Sequence, residues 1–155
     1  MRRNKKAVSP VIATIIIVAV AIVMAIAVAY WMMGLATTFT RYEKLEFVSA
    51  YATKADDTFY VNMTIKSTGT SPATVKGFLL NGIPSSEINN VTVFYHNGIF
   101  PEAGVTVYSG SEAKFSISIR ENTPIGGTLA VSGVTLEIVI QTAAGNQYPK
   151  TIVLP

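Results

Sequence analysis

Residues 11–36 read VIATIIIVAVAIVMAIAVAYWMMGLA, an uncharged run broken only by Thr14 and Gly34. As a helix rising about 1.5 Å per residue it would reach about 39 Å, more than the roughly 30 Å of a bilayer's hydrocarbon core. It is apolar on every face, which a surface helix of a globular domain is not. Tyr30 and Trp31 stand where an interfacial aromatic pair belongs. Arg2, Arg3, Lys5 and Lys6 precede the run, and no further charge occurs before Arg41. That asymmetry predicts a cytoplasmic N-terminus with the rest of the chain outside. Ser9 is a favoured N-cap, and Pro10 suits the first helical position because its missing N–H would be unpaired anyway. Ala21, Ala25 and Ala29 recur every fourth residue and form a small-residue stripe along which helices can approach closely.

Outside this run the composition excludes several classes. The chain has 155 residues, of which 50% are hydrophobic and 14% charged, too few charges for a disordered chain. Cysteine is absent, which removes disulfides, thiolate metal sites and cysteine nucleophiles. His96 is the single histidine, so no histidine cluster can hold a metal. The net charge of +3 comes from the basic head: without its four cations, eight basic residues face nine acidic ones. A nucleic-acid-binding module would instead spread Lys and Arg over one face of its folded part.

Beyond the apolar run, Arg41, Glu43, Lys44 and Glu46 are read as a solvated stalk, with the change from helix to strand near residues 44–48. Thereafter the hydrophobic period becomes two. Phe59, Val61, Met63 and Ile65 alternate with Tyr60, Asn62, Thr64 and Lys66. Phe115, Ile117 and Ile119 alternate with Lys114, Ser116, Ser118 and Arg120. Val134, Leu136, Ile138 and Ile140 alternate with Thr135, Glu137 and Gln141, with Val139 as the exception. These are half-buried strands. Turn signals such as Asn81-Gly82, Asn97-Gly98 and Gly126-Gly127 separate them. The expected fold class is α+β: a long hydrophobic N-terminal helix followed by an antiparallel β-sandwich head of seven or eight strands with immunoglobulin-like topology. The expected organisation is residues 1–7 as a basic leader, 8–46 as the helix and 47–155 as the head.

Candidate chemistry is sparse. His96 ends a strand and enters a turn, with no motif supplying partners for a catalytic base. Asp56-Asp57 are paired carboxylates of a kind that suits calcium, but no further acidic or glycine spacing accompanies them, so they are read as a turn. No phosphate loop, nucleophile elbow or metal signature occurs. The expectation is no enzyme, no cofactor and no metal. Two sequons are present, Asn62-Met63-Thr64 and Asn90-Val91-Thr92, making Asn62 and Asn90 candidate glycosylation sites.

Three processing outcomes remain open on these residues: an uncleaved single-pass anchor, secretion with cleavage after Ala27-Val28-Ala29, or removal of the basic leader alone. Lys5-Lys6-Ala7-Val8-Ser9-Pro10-Val11-Ile12-Ala13-Thr14-Ile15-Ile16-Ile17 resembles the N-terminus of archaeal type IV pilins over about the first 35 residues. The resemblance implies a prepilin peptidase that recognises Lys5, Lys6, Ala7 and Val8 and cuts between Ala7 and Val8. It implies assembly through the helix, with Val8, Ser9, Pro10, Ile12, Ala21, Ala25, Ala29 and Trp31 among the residues that carry it. Bacterial relatives usually place a glutamate where this chain has Ile12, so a glutamate-guided docking step does not transfer. Archaellins tend to open on a glycine-rich segment instead.

The expected function is therefore a structural subunit of an extracellular type IV pilus-like filament with a role in adhesion. Its expected partners are copies of itself, the prepilin peptidase, and a pilus assembly ATPase with its membrane platform. The precursor would reside in the cell membrane and the assembled chain on the cell surface; no nucleic acid is expected as a partner. The alternatives are a single-pass membrane-anchored β-sandwich binding module, and an archaellin or minor pilin of the same superfamily.

Overall fold

A computed structural model of the chain describes residues 10–39 and 41–155. It forms two compact units that divide between residues 40 and 41. Among the described residues the N-terminal unit holds one helix, α1 (Pro10–Phe39), with no acidic residue in its first turn and no basic residue in its last. Two of its hydroxyls are satisfied within the helix: Thr14 Oγ1 donates to the Val11 carbonyl at 2.8 Å, and Thr37 Oγ1 to that of Gly34 at 2.9 Å. A helix whose surface is largely apolar, with these two hydroxyls turned onto its own backbone, suits an environment with little water.

The second unit is built from strands in antiparallel pairs. In chain order they are β1 (Leu45–Ala55), β2 (Thr58–Ser67), β3 (Ala73–Leu80), β4 (Ile83–Pro84), β5 (Val91–Tyr95), β6 (Gly98–Ile99) and β7 (Val105–Val107). They continue with β8 (Glu112–Arg120), β9 (Pro124–Ile125), β10 (Thr128–Leu129), β11 (Thr135–Thr142) and β12 (Gln147–Val153). One sheet has the order β1-β2-β8-β5-β6. The other runs β12-β11-β3-β4, with β7 also pairing β3, and β9 and β10 form a small ribbon. The fold class expected from the sequence is thus the one observed, a long helix followed by an antiparallel β-sandwich.

Period-two alternation builds the core. Phe59, Val61, Met63 and Ile65 of β2 and Phe115, Ile117 and Ile119 of β8 face Phe78 and Leu80 of β3 and Leu136, Ile138 and Ile140 of β11, all buried in one cluster. An aromatic group sits at one end: Phe115 lies 5.3 Å from both Phe78 and Tyr95, and Phe100 meets Phe78 edge-on at 5.5 Å. β1 contains a phase change. Leu45 and Phe47 point inward, then Ala50 and Ala52, so the inward set moves from odd to even positions. A bulge between Phe47 and Ser49 absorbs the extra residue, leaving Val48 exposed. On an edge strand such a bulge also blunts the free edge.

Two expectations are corrected. The helix ends at Phe39, short of residue 46, and Glu46 already belongs to β1. Residues 41–44 are also not a solvated stalk but part of the head: the Thr68 and Gly69 N–H groups donate to the Lys44 carbonyl at 2.9 and 3.3 Å, and Ser71 N–H donates to that of Tyr42 at 3.1 Å. These backbone bonds outweigh the weak helical tendency of a segment carrying like charges at i, i+3. The second correction is a register. The loop at the β5–β6 hairpin is His96-Asn97, not Asn97-Gly98, with Tyr95 opposite Gly98. Both loop residues take positive φ, +46 and +66, as a two-residue hairpin of the primed type requires. This register puts the residue without a side chain opposite Tyr95, leaving the ring its place against Phe115.

Candidate functional site

The sequence points to α1 as the functional element. Ile12, Ala21, Ala25, Ala29 and Trp31 all lie within it and Pro10 is its first residue. Lys5, Lys6, Ala7, Val8 and Ser9 lie outside the described residues. Over Pro10–Thr37 the helix is long and apolar enough to cross a membrane, with a mean hydropathy of 3.2 in its most apolar window, and none of that window is buried by the rest of the chain. Tyr30 and Trp31 are 73% and 67% exposed. The small side chains of Ala21, Ala25 and Ala29 fall four residues apart, so they drift only slowly around the helix and share one side.

The head begins in a collar, residues 41–44, held by groups from strands and loops distant in the chain. Glu43 is its anchor. Its Oε2 accepts from Thr142 Oγ1 and from Asn146 Nδ2, each at 3.0 Å, and its backbone carbonyl accepts from the Tyr148 hydroxyl at 3.2 Å. Tyr42 N–H donates to Thr70 Oγ1 at 3.0 Å. Gly69 permits the docking: a Cβ there would overlap the Tyr42 carbonyl oxygen and stand 2.6 Å from the Lys44 nitrogen. Burial pushes the Tyr148 hydroxyl above its ordinary pKa. The ion pair of Lys44 with Glu46, at the surface, shifts both partners. Hydrogen bonding from Lys44, aided by its charge, lowers the Glu46 carboxyl, and the same contact raises Lys44. Sequence reasoning missed this collar because its bonds span up to 105 residues.

The other singled-out residues are scattered. His96 is exposed in the β5–β6 turn, its ring edge-on to Tyr95 at 4.4 Å. Asp56, with φ +52, and Asp57 form the two-residue loop between β1 and β2, whose last pair is Ala55 with Thr58. Among the described residues no group of three or more His, Asp or Glu side chains is placed to hold a metal ion. Asn90 is exposed, with φ +62, in the turn before β5. Asn62 is half-buried in the middle of β2, on the outer face of its sheet.

No family model matches the chain, and no curated protein matches it. Among solved structures it is similar to one described as "Structure of Iho670 Flagellar-like Filament", at 10% identity and a TM-score of 0.39, covering 94% of this chain and 98% of that one. At that level of likeness, function has to be read from this chain's own residues.

Proposed function

We propose that the chain is a structural subunit of an extracellular helical filament of the archaeal type IV pilus kind, held in the membrane by α1 before assembly and polymerising through α1 afterwards. The observation that carries this reading is an uncharged 30-residue helix, long and apolar enough over Pro10–Thr37 to cross a membrane. Burying its fifteen Ile, Val, Leu and Met side chains at about 1.5–3 kcal/mol each amounts to tens of kcal/mol. Such a helix is stable in lipid and equally stable against copies of itself, so extraction from the bilayer into a filament core moves it between two dry environments. Heads meeting by heterologous contacts then propagate a polymer that does not close.

Within this reading, a prepilin peptidase removes the leader between Ala7 and Val8, recognising Lys5 and Lys6, and an assembly ATPase with its membrane platform drives extraction. The heads coat the filament and carry its adhesive role. What supports an immunoglobulin-like head is the strand order, β1-β2-β8-β5 in one sheet and β12-β11-β3 in the other, which corresponds to the A-B-E-D and G-F-C order of that fold. Of the two sequons, Asn90 is the one we assign as glycan carrier, because it is exposed in a turn.

Intact mass and N-terminal sequencing of material sheared from cells test the proposal. A filament fraction whose chain starts at Val8 is the expected result. Retention of Met1 with the chain in the membrane fraction would support the anchored-module alternative, and a start at Tyr30 would identify a secreted sandwich and end the filament reading.

A further inference from the structure

We propose that the outer face of the β1-β2-β8-β5 sheet binds an acidic saccharide. This concerns the head alone and stands whether or not the chain polymerises. Four strands contribute one residue each to a cross-strand row: Tyr51 stands opposite Asn62, Asn62 opposite Ser116, and Ser116 opposite Phe94. Directly opposed residues share a face about 4.5–5.5 Å apart. Tyr51 and Phe94, three strand spacings or about 14 Å apart, therefore flank two short polar side chains. The next row brings Ser49, Thr64 and Lys114 together, and the His96-Asn97 turn closes one end. The result is an open trough of about 640 Å³. Tyr51, Tyr60, Phe94 and His96 wall it; Tyr51 and Tyr60 remain 54% and 38% exposed.

The lining matches a sugar better than a protein. A sugar ring offers a C–H face, which the aromatic walls can take, and a rim of hydroxyls, which needs donors and acceptors. The Asn62 carboxamide supplies both, as do the Thr64 and Ser116 hydroxyls. Among the described residues, none of these three side chains is engaged by a hydrogen bond within the chain. An apolar protein surface laid over the walls would strand that polar floor, which is unfavourable. Charge narrows the class further. Lys114 lines the trough and no carboxylate does. On the same sheet face Glu46 and Glu112 both stand opposite Lys66, and Arg120 lies at the other end opposite Thr58. A carboxylate or sulfate on the saccharide would meet the ammonium of Lys114. The proposal requires Asn62 to be unmodified, consistent with its half-buried place in mid-strand.

The test uses the full chain in lipid nanodiscs and titration calorimetry. The probes are tetragalacturonate and a sulfated tetrasaccharide of the carrageenan type, with maltotetraose as the neutral control. The expected result is binding of at least one acidic probe in preference to maltotetraose. Tyr51→Ala weakens it about tenfold, as loss of one stacking contact implies. Lys114→Gln abolishes the preference for the acidic probe and its salt dependence. Both positions face solvent, and unchanged far-UV circular dichroism verifies that the variants are folded. Failure of the native chain to bind either acidic probe, binding unaltered by both substitutions, or a glycan found on Asn62 by peptide mass spectrometry would each overturn the proposal.

Discussion

Replacing Gly69 by alanine isolates the contact that joins the collar to the head. Gly69 does not occupy the left-handed region, so the substitution introduces no backbone strain of its own, only a Cβ directed at the Tyr42 carbonyl oxygen and the Lys44 nitrogen. Both obstacles are backbone atoms, which cannot swing aside as a side-chain tip would. The collar must lift, breaking hydrogen bonds that include Thr68 and Gly69 N–H to Lys44, Ser71 N–H to Tyr42, and Tyr42 N–H to Thr70 Oγ1. At about 1 kcal/mol each, with some replaced by water, the loss is about 3 kcal/mol. Amide hydrogen exchange at Thr68 and Ser71 should then accelerate by about two orders of magnitude. The head's melting temperature should fall by about 10 °C, since a unit of this size loses about 3–5 °C per kcal/mol. Gly77→Ala is the matched control, because a Cβ there meets nothing within 4 Å. If Gly69→Ala exchanges and melts like the native chain, the collar does not dock as described.

Phe115→Ala removes a buried ring that touches Phe78, Tyr95 and Phe100; it should cost about 3–5 kcal/mol, read from the urea midpoint at unchanged slope. Ala25→Lys places a charge near the middle of α1, which in a membrane is unfavourable by about 2.5–3.5 kcal/mol. Immunoblots of sheared material should lose the filament band while circular dichroism of the head stays native. Tyr148 predicts an alkaline limit. Its folded pKa is raised above that of the unfolded chain, so its contribution is fully present below about pH 10 and is lost as pH rises through the folded value. Tyr148→Phe should flatten the decline in denaturation midpoint over that window, and an unchanged profile would assign the decline to other groups.

The sequence made the architecture legible wherever a local period carried it. The uncharged run gave α1, and alternation gave the inward faces of β2, β8 and β11, because burial on one side of a pleat repeats every second residue. Asn81-Gly82 and Gly126-Gly127 do occupy the two-residue loops between β3 and β4 and between β9 and β10, all four residues at positive φ. Asn97-Gly98 misled by one position, since the loop was set by the pairing of Tyr95 with Gly98 rather than by turn chemistry alone. The bulge at Val48 was foreshadowed by the shift from Leu45 and Phe47 to Ala50 and Ala52, a signal that a reading fixed on uninterrupted alternation passes over.

Two features had no local signature. The collar rests on Glu43 meeting Thr142 and Asn146 and on the bare Cα of Gly69, contacts between segments far apart in the chain. The trough exists because the strand order sets β8 between β2 and β5. Tyr51, Ser116 and Phe94 are unremarkable in their own strands, Asn62 stands out only as a sequon, and the four form a row only once that order is known.

Helical reconstruction of filaments sheared from cells tests the central claim most directly. The account predicts that α1 of every subunit packs against α1 of its neighbours in a shared, uncharged core, with the β-sandwiches outside it. Filaments that lack this chain, or a chain found only as isolated monomers in the membrane, would contradict it.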